Sequence, residues 1–212
     1  MAEAQTSQRT FRVALVGKTG CGKSALGNTL LGFRKFKSIP AGESVTYECE
    51  QGTVDLPSGI RIKVVDTPGI FDTKNRDVKL EITQCISLLS PGPHAIIIVL
   101  QPNRATEEER RVIKDLTELF GNDKFLAYTI IVMVRRNEIR DKDGDLINIH
   151  EFMNKMATDD VKSLYTQCGK RVIAVENLAS PTEKQNMHRK SLRKYQQWMV
   201  IILMSILNYC KN

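Results

Sequence analysis

The octet Gly17-Lys18-Thr19-Gly20-Cys21-Gly22-Lys23-Ser24 follows the pattern G-x-x-x-x-G-K-S, with an apolar strand-like run before it and a helix-like run after it. Those residue types suit one task, which is holding a polyphosphate. Glycine lets the backbone come close to crowded oxygens and adopt positive φ without a Cβ clash. Successive N–H groups then converge at a helix N-terminus, where the dipole favours anions. Lys23 supplies a positive charge for the terminal phosphates, the Ser24 hydroxyl suits Mg²⁺, and Ala25 carries the cradle into the helix. The plain alternative is a strand–turn–helix with no ligand.

A second set lies downstream. IRIKVVD ends in Asp66-Thr67-Pro68-Gly69. An acid at a strand's carboxyl end can hold Mg²⁺ through water, and Gly69 can offer its N–H to a γ-phosphate while leaving the chain hinged. Gly69 would open one switch, and the loop from Phe33 to Thr46 would form the other. In that loop Thr46 reads either as a hydroxyl closing over Mg²⁺ or as a strand-face residue. Ser38 reads as a nucleotide contact or as a solubilising loop residue.

These groups need a scaffold, and the pattern predicts one. FRVALV (11–16), IRIKVVD (60–66), HAIIIVL (94–100), AYTIIVMV (127–134) and RVIAV (171–175) read as strands. Most carry consecutive apolar residues rather than strict alternation, as strands of a parallel sheet covered on both faces do. TYECEQGTV (46–54) reads as a further strand, hairpinned to 60–66 through LPSG. Helices are predicted from SALGNTLL, from TEEERRVIKDLTELF with its Thr106 cap, from LINIHEFMNKMATDDVKSLYTQ as one element, and from about 183 onward. The fold class is α/β, a mostly parallel central sheet with helices on both faces. Residues 1–10 read as a flexible N-terminus, and 11–212 as a single domain with a C-terminal helical extension.

Composition bounds the setting. The 212 residues are 42% hydrophobic and 26% charged, ordinary for a globular chain with a core. Five scattered cysteines form no CxxC pair, which predicts reduced thiols in a cytoplasmic setting rather than a zinc site or disulfide framework. The apolar run WMVIILMSIL is about half the ~20 residues of a membrane span, so it reads as a buried helix or a peripheral membrane contact. Net charge is +7, partly gathered in KQNMHRKSLRK. No aromatics interleave with it, so a solvated face or an acidic membrane suits it better than nucleic acid, and no nucleic-acid partner is expected.

GKTGCGKSALGNTLLG, ESVTYEC, VVDTPGIFD and above all LSPGPHAIIIVLQPNRATEEERRVI (89–113) resemble the immunity-associated GTPases, the GIMAP family, relatives of septins and chloroplast-import GTPases. The last segment is similar to the box that distinguishes this family from Ras-like GTPases. The resemblance runs from about Phe11 to Asn177. It implies a P-loop G domain that binds GTP or GDP with Mg²⁺, pairs into a GTP-dependent homodimer or oligomer, and works in the cytoplasm, on the cytosolic face of intracellular membranes in some members. Within it, Ser24, Thr46 and Asp66 would serve the metal.

Several positions depart from the pattern. The family's guanine-reading run Thr-Arg-Lys-x-Asp is here Val134-Arg135-Arg136-Asn137-Glu138. Arg136 can still lie on a purine, whereas Glu138 carries an extra methylene that displaces the carboxylate by about 1 Å. Glu176-Asn177 stands where two asparagines are usual, with Asn177 facing the base. Ile70 replaces the water-orienting glutamine of Ras-like enzymes, which predicts slow intrinsic hydrolysis. Arg104 is then either a charge donated to the reacting phosphoryl group, acting beside Lys23, or a cap on the Thr106 helix. His94 reads as a structural histidine before a base. Two functions stay open: a slow GTPase switch activated by pairing, and a nucleotide-gated scaffold that hardly hydrolyses.

Overall fold

Alternate residues of the central strands are buried on opposite sides, and this sets the architecture of the computed structural model. The structure describes residues 9–38, 49–56, 59–69, 78–102 and 123–176, with 114, 116 and 118. Six strands, β1 (Arg9–Val16), β2 (Glu50–Asp55), β3 (Ile60–Asp66), β4 (Ala95–Leu100), β5 (Thr129–Met133) and β6 (Val172–Ala174), form one sheet in the order β2-β3-β1-β4-β5-β6. Only the edge pair β2–β3 is antiparallel.

Val13, Leu15, Val64, Ile97, Val99, Ile130 and Val132 pack to one side with Leu26, Leu30 and Leu31 of helix α1 (Lys23–Leu31). Ala14, Val16, Val65, Ile96, Ile98, Ile131 and Met133 pack to the other. There they meet Cys85 of α2 (Val78–Ser87), helical Leu116, Phe152 and Met153 of α3 (Ile149–Lys155), and Leu164 of α4 (Asp159–Gln167). Consecutive apolar residues are therefore required, because both faces are covered.

Four expectations change in detail. β1 begins at Arg9, paired with Ile60, two residues before the expected domain start, and 1–8 lie outside the described residues. The single helix expected over 146–167 is two: Asn148 caps α3 by accepting from His150 N–H at 2.8 Å, and extended Thr158 restarts the chain before Asp159 and Asp160. An N-cap residue followed by acids favours a new helix start over continuation. The turn lets α4 fold back on α3, where His150 Nδ1 lies 2.6 Å from Tyr165 Oη. α2 is an element the pattern missed, because Val78, Leu80 and Ile82 alternate like a strand before Ile86 restores helical spacing. The fourth concerns the thiols: Cys49 and Cys85, expected to be reduced, are joined as a disulfide with Cα atoms 5.5 Å apart. Sequence spacing could not reveal that the residue before β2 meets α2. The helix expected from about 183 and the apolar run 198–207 lie outside the described residues; among those described, no helix is long and apolar enough to cross a membrane.

Candidate nucleotide site

The carboxyl ends of β1 and β3 meet here. Leu15 pairs with Asp66, so the loop leaving β1 and the turn leaving β3 emerge side by side. Gly17, Gly20 and Gly22 all have positive φ, and Gly22 caps α1 in the left-handed region. A Cβ on Gly17 would stand 2.7 Å from the Val99 carbonyl oxygen, so this position admits no side chain. Lys23 is buried, and its Nζ donates to the carbonyls of Gly17 at 3.0 Å and Lys18 at 2.9 Å. The ammonium is thus held across the mouth of its own loop, leaving donor capacity for an anion. Cys21 is buried beneath the loop, while Lys18, Thr19, Ser24 and Ala25 are half-buried and Gly20 is exposed.

Ser24 Oγ donates to Asp66 Oδ2 at 2.6 Å, bringing together two of the three expected metal-site residues. Asp66 is fully buried, and its Oδ1 has no hydrogen-bond partner among the described residues. Burial is the main cause that raises its carboxyl from 3.8 to about 6, opposed by the Ser24 hydrogen bond and the Lys23 charge. A buried carboxylate oxygen with no partner is costly alone and is what a hydrated cation would complete. These residues therefore fit Mg²⁺. Thr46, the third expected ligand, lies outside the described residues.

Gly69 is brought against the phosphate loop. A Cβ there would lie 1.5 Å from Thr19 Oγ1, which is itself buried with no partner among the described residues. Thr67, not singled out from sequence, anchors this turn by donating from Oγ1 to the Leu15 carbonyl at 2.7 Å. Gln101, also missed, donates from Nε2 to the Gly20 carbonyl at 3.1 Å and so braces the loop from the end of β4. The rule that ligands bind at the carboxyl edge of such sheets could have flagged it. Asn28 was missed too: its side chain holds the Lys35 and Phe36 amides, each at 2.8 Å, and the Phe36 carbonyl at 2.9 Å. Phe36 is thereby buried against α1 at the entry to the first switch, while Ser38 beyond it is exposed.

The base-reading segment is a 3₁₀ turn, Arg136–Glu138, entered through Arg135 at φ 58°. Arg136 N–H donates to the Val175 carbonyl at 3.2 Å, and Asn137 N–H donates to Glu176 Oε2 at 3.0 Å. The loops after β5 and β6 are thus joined, next to the expected base-facing Asn177, which lies outside the described residues. Glu138 Oε1 is 3.4 Å from Arg135 Nη1. Arg136 has a buried guanidinium nitrogen with no partner among the described residues. Arg104 and Ile70 lie outside the described residues. His94 sits at the opposite end of the sheet, its Nδ1 accepting from Arg12 N–H at 3.0 Å, so the structural reading holds for it.

A mostly parallel sheet with a glycine-framed phosphate loop after one strand and a buried aspartate ending its neighbour defines a P-loop G domain. The chain belongs to the AIG1 family, whose model matches residues 11–200, in agreement with the resemblance read from its motifs. Immune-associated nucleotide-binding protein 9 of Arabidopsis thaliana is 36% identical over 82% of this chain and 50% of its own length. Immune-associated nucleotide-binding protein 12 of the same plant is 37% identical over 77% of this chain and 41% of its own length. The chain spans about half the length of the curated relatives it matches. Among solved structures, Arabidopsis thaliana Toc33 with GDP and Mg²⁺ is similar at TM-score 0.69 and 18% identity, over 95% of this chain and 84% of that one. Aquifex aeolicus Era is similar at TM-score 0.58 and 18% identity, over 88% and 57% respectively.

Proposed function

We propose that this chain is a guanine-nucleotide switch that binds GTP and GDP with Mg²⁺ and hydrolyses GTP slowly, faster when two copies pair. The carrying observation is the joined set of Lys23, Ser24 and Asp66, with one Asp66 oxygen unpartnered among the described residues beneath a glycine-framed loop. The loop amides and Lys23 would bind the phosphates, and Ser24 and Asp66 would hold Mg²⁺, which supplies charge neutralisation during phosphoryl transfer. Support for these ligands also comes from Toc33, solved with GDP and Mg²⁺ and with GMPPNP and Mg²⁺. Lys23→Ala should cost most of the affinity for a fluorescent GTP analogue while leaving the sheet intact. Unchanged affinity in a folded variant would overturn the assignment.

Catalysis is assigned to Arg104 reaching a partner's site, because Ile70 cannot orient water and an arginine can supply ~10³–10⁵-fold in rate. Support comes from Toc33, for which an arginine-to-alanine variant is dimerisation-deficient and dimerisation is important for GTPase activity. Turnover per molecule should rise with protein concentration, and Arg104→Ala should abolish that rise while retaining GTP binding. Ile70 also favours a second reading, a nucleotide-gated scaffold with little hydrolysis, which takes the lead if turnover is slow and independent of concentration. The proposed setting is cytoplasmic, with residues 184–207 as the candidate contact to a membrane's cytosolic face and no nucleic-acid partner.

A further inference from the structure

We infer that Cys49 and Cys85 form a reversible dithiol–disulfide couple that controls nucleotide release by tying together the elements that flank both switches. The inference rests on the nucleotide-switch reading above. The two Cα atoms are 5.5 Å apart, within the span a disulfide needs.

Position gives the bond its consequence. Cys49 immediately precedes β2, whose first residue, Glu50, pairs with Asp66 of the metal site. It therefore stands where the first switch loop rejoins the sheet. Cys85 lies on α2, the first described helix after the Asp66–Gly69 turn. The bond closes a segment of sequence separation 36 that contains β2, β3 and the whole Asp66–Gly69 motif. Nucleotide exchange in switch proteins needs such segments to move. A covalent tie between the end of one switch and the helix beyond the other restrains both.

Accessibility sets the order of the chemistry. Cys85, on α2, is fully buried in the core, whereas Cys49 is half-buried. The Cys49 thiolate attacks a small-molecule disulfide such as oxidised glutathione, forming a mixed disulfide and releasing one small thiol. The Cys85 thiolate then attacks the Cys49 sulfur and expels the second small thiol. The protein dithiol loses two electrons and two protons, and the small disulfide gains them; excess small thiol reverses both steps. Cys168 does not compete, since burial pushes its thiol up to about 12.

The test uses the full chain equilibrated with oxidised or reduced glutathione. Peptide mapping by mass spectrometry reads the Cys49–Cys85 link, and stopped-flow fluorescence reads release of a GDP analogue. The oxidised protein should yield the linked peptide and release the analogue at least about threefold more slowly, with dithiothreitol restoring the fast rate. Cys49→Ser, at the more exposed position, should release at the fast rate under both conditions. Cys85→Ala gives the same readout from the buried side. Absence of the linked peptide, or equal release rates with and without it, overturns the inference while the nucleotide reading stands. A reduced protein that binds no analogue overturns that reading, and this control with it.

Discussion

Gly69→Ala is the sharpest single test of the geometry between the phosphate loop and the second switch. A Cβ at 69 would lie 1.5 Å from Thr19 Oγ1, 2.6 Å from Thr19 Cβ and 2.7 Å from Thr19 Cα. Relaxed contacts sit near 3.5 Å, so the hydroxyl must move by about 2 Å and the loop backbone by nearly 1 Å. Rotation about χ1 can move the hydroxyl, but nothing in the side chain can relieve the Cα. Overpacking of this kind costs about 1–3 kcal/mol. The penalty falls on stability if the loop holds its shape. If the loop gives way, it appears as roughly 5- to 150-fold weaker nucleotide binding. Thr19→Gly removes the two closest atoms and keeps the third, so it should restore about half of the loss. The assay is a double-mutant cycle across Gly69→Ala and Thr19→Gly, read by urea denaturation and by titration with a fluorescent GDP analogue. A coupling energy near 1 kcal/mol is expected, inside the range for residues in contact. Full stability and affinity in Gly69→Ala, or an equal penalty with and without Thr19, would show that the two residues do not pack as described.

Three further outcomes follow from the site and its surroundings. Burial raises Asp66 from 3.8 to about 6, so between those values the folded protein holds more protons than the unfolded chain. Mg²⁺-free stability should therefore fall as pH rises from about 4 to 6, by roughly 3 kcal/mol, and Asp66→Asn should lack that fall; superimposable urea profiles across pH would refute it. Glu138 is partly engaged by Arg135, so guanine preference over adenine should be reduced, and Glu138→Asp should sharpen it by about tenfold for each 1.4 kcal/mol gained. Competition of GTP against ATP measures this, and identical ratios in both proteins would remove Glu138 from base reading. Closing a separation of 36 residues should make the oxidised protein more stable than the Cys49→Ser variant by up to ~4 kcal/mol on the chain-entropy account, as compared by denaturation without reductant; equal midpoints would contradict it.

The phosphate loop was legible in the sequence because its chemistry is local. Gly17, Gly20 and Gly22 set backbone angles that neighbouring residues do not alter, and Lys23 folds back on carbonyls only six and five positions away. The strands were legible for a related reason: burial on both faces leaves a continuous apolar run that any register would keep. Tertiary structure alone decided the pairings between distant positions. Gln101 reaches Gly20 across 81 residues and Ser24 reaches Asp66 across 42, because register places β1 between β3 and β4. Cys49 and Cys85 looked like isolated thiols until the fold brought the residue before β2 and a residue of α2 within 5.5 Å. Glu138 read as a displaced base-reading carboxylate, and only the structure shows Arg135 Nη1 3.4 Å from it. Residue type and spacing determine which groups can act, whereas partners far along the chain are fixed by which strands the packed core brings together.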